Sequence, residues 1–130
     1  MHTLKSQQKA AEAAYAGSQQ CVENMRKAFE RRRDLIVGLL KEIPGLRINH
    51  PAGAFYIFPE VSAYFGKSHG THTINDANDL AMYLLEVAHV ATVSGDAFCA
   101  PGYIRLSYAT SDENIREAAR RIAEALAKLK

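Results

Sequence analysis

Gly102-Tyr103-Ile104-Arg105-Leu106-Ser107-Tyr108-Ala109-Thr110-Ser111 sets one arginine inside an otherwise apolar strand and then opens a helix. In the alternation of a strand, Ile104, Leu106 and Tyr108 share one face, while Tyr103, Arg105, Ser107 and Ala109 share the other. A charge on such a strand is costly to hold unless a partner meets it. The planar fork of an arginine matches a carboxylate. Two readings of Arg105 follow: an ordinary half-exposed strand residue, or the receiver of a bound carboxylate.

Beyond this strand, Thr110-x-x-Glu113 reads as a capping box for a last helix, with Ile115, Ala118, Ile122, Leu126 and Leu129 as its apolar stripe. Before it, Val90 to Val93 reads as a buried strand and Ser94-Gly95 as a turn. Asn75 or Asp76 can cap a helix in which Leu80, Leu84 and Val87 line one face. A polar loop is predicted from Ser62 to Thr73. Ahead of it lie a short strand at Leu46 to Asn49, a turn at His50 to Gly53, and a strand at Ala54 to Phe58 closed by Pro59.

The N-terminal third is helical by pattern. Ser6 to Tyr15 is rich in alanine and glutamine, and Gly17-Ser18 interrupts it. From Val22 the residues Val22, Met25, Phe29, Ile36, Leu40 and Ile43 form one face of a long helix that stops at Pro44-Gly45. A helix with that stripe must pack on something. The predicted class is α/β, or α+β in layers: a small, mostly β-sheet core covered by helices. Residues 1–45 are expected to be helical and 46–130 βαββα-like, the whole forming one domain.

Composition fits a globular chain. The 130 residues are 48% apolar and 23% charged, with a net charge of +2, near the average of globular domains. No basic cluster with interleaved aromatics points to nucleic acid. The run Arg31-Arg32-Arg33 lies between Glu30 and Asp34 and reads as a solvated, salt-bridged helix face. No apolar run reaches membrane-spanning length. Two cysteines, Cys21 and Cys99, without a signal-peptide pattern suggest a reducing cytoplasm.

Other motifs carry less. Gly66-Lys67-Ser68 ends like a phosphate-binding loop, but Val61 stands where that pattern needs glycine. His69 and His72 lie in a loop without the third and fourth ligands that a zinc site wants. Cys99 has no base paired with it in the sequence and reads as a buried or half-buried thiol.

Several segments in register add a different kind of information. Pro51-Ala52-Gly53-Ala54-Phe55-Tyr56-Ile57-Phe58-Pro59, then Val93-Ser94-Gly95-Asp96-Ala97-Phe98, then Tyr103 to Ser111 occur in the order and spacing seen at the end of class I pyridoxal-phosphate aminotransferases. The segments Gln8 to Tyr15 and Met25 to Asp34 are similar to the helices that precede them in that family. From about Ser6 to Lys130 the chain resembles the C-terminal small domain of an aspartate aminotransferase. Ser94 departs from the pattern where proline is common, and Cys99 where glycine is common.

The resemblance implies that Arg105 binds the substrate α-carboxylate and that Phe55 and Tyr56 lie near the substrate as secondary contacts. It implies pyridoxal 5'-phosphate as the cofactor of the full-length enzyme, an amino acid and a 2-oxo acid as substrates, and a homodimer. The family's lysine segment and phosphate-binding loop have no counterpart among these residues. No catalytic, cofactor-binding or metal-binding residue is therefore expected in this chain, which should be inert by itself with the large domain missing. The competing reading is a stand-alone carboxylate-binding or interaction module. An exposed apolar patch near the N-terminal helices and Phe98 would favour the first.

Overall fold

Two helices lead into a layered α/β arrangement in the computed structural model, which describes residues 4–130. Helix α1 covers Lys5–Ala16 and α2 covers Gln20–Lys41. Strand β1 (Tyr56–Ile57), a 3₁₀ turn at Ser62–Tyr64, and the hairpin β2 (Ser68–His69) and β3 (His72–Thr73) follow. Helix α3 spans Ala77–Tyr83 and runs on as a π-helical turn, Leu84–Ala88. Then come β4 (Val93–Ser94), a 3₁₀ turn at Gly95–Phe98, β5 (Ile104–Ser107) and helix α4 (Asp112–Ala127). Of the stretch 1–45 predicted to be helical, residues 1–3 lie outside the described residues.

Strand β5 is the middle of an antiparallel three-stranded sheet in the order β1-β5-β4. Tyr56 stands opposite Ser107 and Ile57 opposite Leu106. On the other side Val93 stands opposite Arg105 and Ser94 opposite Ile104. The predicted alternation holds: Ile104, Leu106 and Tyr108 are buried, Arg105 is half-buried and Ser107 is exposed.

The core lies between this sheet and the helices. Ile36, Val37, Leu40 and Ile43 from α2 and its end join Ile115, Ala119, Ile122 and Leu126 from α4, with Leu80, Tyr83 and Leu84 from the α3 region. Each helix contributes the stripe that its 3.6-residue period allows. Of the predicted α2 stripe, Ile36, Leu40 and Ile43 are buried and Phe29 packs against the core half-buried. Val22 and Met25 are 57% and 59% exposed, and α1 buries no residue at all. Gly45, at φ +91°, lets the chain leave α2 tightly beneath Tyr64, which bonds the Pro44 carbonyl; a left-handed turn of this kind favours glycine.

The strands are shorter than the sequence predicts. The strand predicted at Leu46 to Asn49 is reduced to one bridge, Arg47 with Glu60, and Glu60 in turn bridges Tyr103. The strand predicted at Ala54 to Phe58 keeps only Tyr56–Ile57. Ala54 takes φ +60°, outside the β region. Pro59 accepts a hydrogen bond from the Ile104 amide at 3.1 Å but has no N–H to return, so the ladder breaks there.

The buried strand predicted at Val90 to Val93 is an outer strand at Val93–Ser94, with Val93 39% exposed. An apolar run this short has no period to separate a central strand from an edge. The polar loop predicted at Ser62 to Thr73 contains the 3₁₀ turn and the β2–β3 hairpin. Ser68 in that hairpin exchanges backbone hydrogen bonds with Lys130 at 2.9 and 3.1 Å. The cap of α4 is Ser111, one residue later than predicted; its hydroxyl accepts from the Asn114 amide at 3.2 Å. Asp76 caps α3 as predicted, by accepting from the Asp79 amide at 2.8 Å.

Candidate functional site

Arg105 projects from the central strand on the face it shares with Tyr103 and Ser107. Its Cζ lies 4.3 Å from the centroid of the Tyr56 ring and 4.3 Å from that of Phe98. Tyr56 stands opposite Ser107 on β1, so it is the diagonal neighbour of Arg105 across the strand pair. Phe98 comes from the 3₁₀ turn that follows β4. The strands on both sides of β5 therefore each supply, directly or through the turn that follows, one aromatic ring against the guanidinium. Among the described residues, no acidic side chain pairs with Arg105.

Phe55 sits one step away. Its ring is 4.7 Å from Tyr56 and stacks at 5.6 Å on Phe29 of α2. Phe98 is met edge-on by Phe58 at 5.7 Å. An aromatic series thus runs from α2 through Phe55 and Tyr56 to Arg105, and on through Phe98 to Phe58. The sequence singles out Arg105, Phe55 and Tyr56. It does not single out Phe98, whose turn folds back onto β5 through contacts that no local pattern encodes.

That turn is closely drawn. The Gly95 amide donates to Tyr103 at 2.7 Å, and the Ala100 amide donates to Gly95 at 2.9 Å. A Cβ on Gly95 would lie 2.1 Å from the Ala100 carbonyl oxygen, so any larger residue there forces the turn to shift. The Ser94 hydroxyl caps the turn by accepting from the Asp96 amide at 3.3 Å. Cys99 ends it at φ +55° and is exposed, not buried or half-buried as predicted.

The other residues considered from sequence do not gather at Arg105. His69 and His72 both face the Tyr83 ring, at centroid distances of 6.0 and 5.3 Å. The Tyr83 hydroxyl lies 3.3 Å from His69 Nδ1, and His72 Nε2 lies 3.5 Å from Glu86. Arg31 and Arg32 both reach Asp112 at the start of α4, at 3.3 and 3.4 Å, and Arg33 pairs with Asp34 at 2.9 Å. Those guanidiniums, Arg31 first, hold the Asp112 carboxyl below its ordinary range. A cleft of about 500 Å³ lies elsewhere, between the end of α2 and α4, and includes Ile43, Tyr64, Lys67 and Leu126. Its size does not make it the site, because Arg105 does not line it.

The lysines do not fit a Schiff-base cofactor. Lys5, Lys9, Lys27, Lys41, Lys128 and Lys130 are exposed. Lys67 is half-buried, with its ammonium over the Tyr64 ring at 5.6 Å. None stands beside Arg105.

Residues 2–122 match the family described as aminotransferase class I and II. The chain belongs to that family. Over 109 residues it is 50% identical to a probable aspartate/prephenate aminotransferase of Aquifex aeolicus, a match that covers 84% of this chain and 26% of that protein. It is 46% identical to an aspartate aminotransferase of Streptomyces avermitilis, over 91% of this chain and 29% of that one. The crystal structure of the aspartate aminotransferase from Rhizobium meliloti superposes with a TM-score of 0.89 at 41% identity, covering 93% of this chain and 30% of that one. An alanine aminotransferase from Pyrococcus furiosus superposes at 0.80 with 29% identity, over 91% of this chain and 28% of that one. The aminotransferase segment thus spans well under a third of the length of these relatives and matches their C-terminal part. No described helix is long and apolar enough to cross a membrane.

Proposed function

We propose that residues 1–130 form the small domain of a pyridoxal-phosphate-dependent aspartate aminotransferase and that Arg105 receives the substrate's α-carboxylate. The observation that carries this reading is the state of Arg105. A guanidinium held against two aromatic rings, with no acidic partner among the described residues, keeps its N–H donors for an incoming anion. Tyr56 acts by contact with that guanidinium, and Phe55 by supporting Tyr56 from the α2 side.

Aspartate as donor rests on the names of the relatives, which also include an alanine aminotransferase; the fold alone does not choose the donor. Pyridoxal phosphate does not find its lysine here. Its seat belongs to the part of the relatives that this chain does not span, and the 130 residues alone transfer no amino group. A homodimer in the cytoplasm completes the proposal. The exposed Leu4 just before α1, Tyr15 in α1, and Val22 and Met25 in early α2, together with Phe98, favour a chain that sits on further protein over a free-standing module.

The test is Arg105→Ala in the full-length polypeptide carrying this sequence. The kcat/KM for aspartate is expected to fall about a hundredfold or more, as loss of charge-assisted hydrogen bonds requires. Unchanged kinetics would remove Arg105 from the site.

A further inference from the structure

We infer that Phe98 is a positioning residue that fixes the direction of the Arg105 guanidinium for substrate; the inference rests on the reading of Arg105 as the carboxylate receiver. An arginine side chain has many rotamers, and one that binds a ligand productively must be held in few of them. An acidic neighbour would hold it, but would occupy the same N–H donors that the substrate carboxylate needs. An aromatic ring attracts the cation through its quadrupole and leaves those donors open. Phe98 and Tyr56, each 4.3 Å from Cζ, are placed to do this.

The two rings are held differently. Tyr56 is fixed by its place in β1, opposite Ser107. Phe98 owes its position to the Gly95–Phe98 turn, whose first residue is tied by hydrogen bonds to Tyr103, just ahead of β5, and to Ala100. Phe58 steadies the ring edge-on. Yet Phe98 remains 43% exposed. A large ring held half in solvent by a tight turn adds little to the core, and its contact with Arg105 gives the turn a purpose.

The experiment uses the full-length polypeptide, with succinate as an unreactive carboxylate probe. Phe98→Leu is expected to raise the KM for aspartate and the Ki for succinate about tenfold each, through loss of the cation–π contact, with an unchanged melting temperature. Phe98→Tyr should restore both to within about twofold, because a phenol ring keeps the π face. Placed on an Arg105→Lys background, Phe98→Leu should have a smaller effect, since the two residues act through one contact. Phe98→Met serves as a second truncation if the leucine variant folds poorly.

Unchanged KM and Ki in the folded Phe98→Leu or Phe98→Met variant, beside a large Arg105→Ala effect, would overturn the role of Phe98 alone. Equal effects on both Arg105 backgrounds would overturn it too. An Arg105→Ala variant with unchanged constants would overturn both this inference and the carboxylate reading beneath it.

Discussion

Tyr108 donates its phenolic hydrogen to the Ala54 carbonyl at 2.9 Å, joining residues 54 positions apart in the chain. The Tyr108 amide also donates to Phe55 at 2.9 Å. Together these bonds pin the left-handed turn at Ala54 to the end of β5, and so fix where Phe55 and Tyr56 enter the sheet. Burial pushes the Tyr108 phenol above its ordinary range, with Arg33 opposing and Asp34 adding, so the hydroxyl remains a donor at neutral pH.

Tyr108→Phe should therefore lower stability by about 1 kcal/mol, the usual net worth of such a bond with some penalty for the orphaned carbonyl. Urea unfolding with an unchanged slope would measure it. A variant as stable as the parent would mean that water replaces the phenol at Ala54.

Arg105→Lys in the full-length polypeptide replaces a planar fork by a point charge. It should raise KM for the amino donor and lower kcat together, reducing kcat/KM about 10- to 100-fold. Steady-state kinetics decide this, and parental values would show that a bidentate fork is not used.

Gly95→Ala places a methyl group against the Ala100 and Tyr103 carbonyl oxygens. Overpacking of this kind costs about 1–3 kcal/mol. It should also move Phe98 away from Arg105, so the melting temperature and kcat/KM should fall together.

Asp112→Asn removes the carboxylate that Arg31 and Arg32 share and that also favours the first turn of α4. The carboxyl titrates lower in the folded chain than its ordinary value of 3.8. Its stabilisation is therefore present above that value and is lost as pH falls through the lowered one. The parent should melt above the variant at neutral pH, and the gap should close below about pH 4. These side chains are partly exposed, Arg31 most of all, so added salt should narrow the gap as well. A difference that persists at low pH would assign it to something other than this charge.

Helix α1 buries none of its twelve residues, and a helix of that length is marginal in water without packing. In the 130-residue chain by itself, its amides should exchange with deuterium far faster than those of α4. In the full-length polypeptide they should be protected. Fast exchange in both would mean that nothing covers α1.

Local patterning is enough to specify the helices and to identify the central strand. The stripe of Ile115, Ala118, Ile122, Leu126 and Leu129 and the alternation of Ile104, Leu106 and Tyr108 are local periodicities, and burial follows them except at Ala118, which is half-buried while Ala119 beside it is buried. Arg105 was legible for the same reason, as a charge inside an apolar strand, and the segments around it carried the family resemblance. The remainder depends on contacts between elements far apart in the chain. The strand near Ala54 is cut short by a left-handed alanine and by a proline without an N–H, and strand length depends on such long-range pairing rather than on propensity. The sequence places Phe98 only in a family segment and in an exposed apolar patch, because an aromatic residue in such a turn gives no local sign of what it touches. Only the folding of that turn against β5 brings its ring to the guanidinium, and contact across separate elements has no period for a sequence to display.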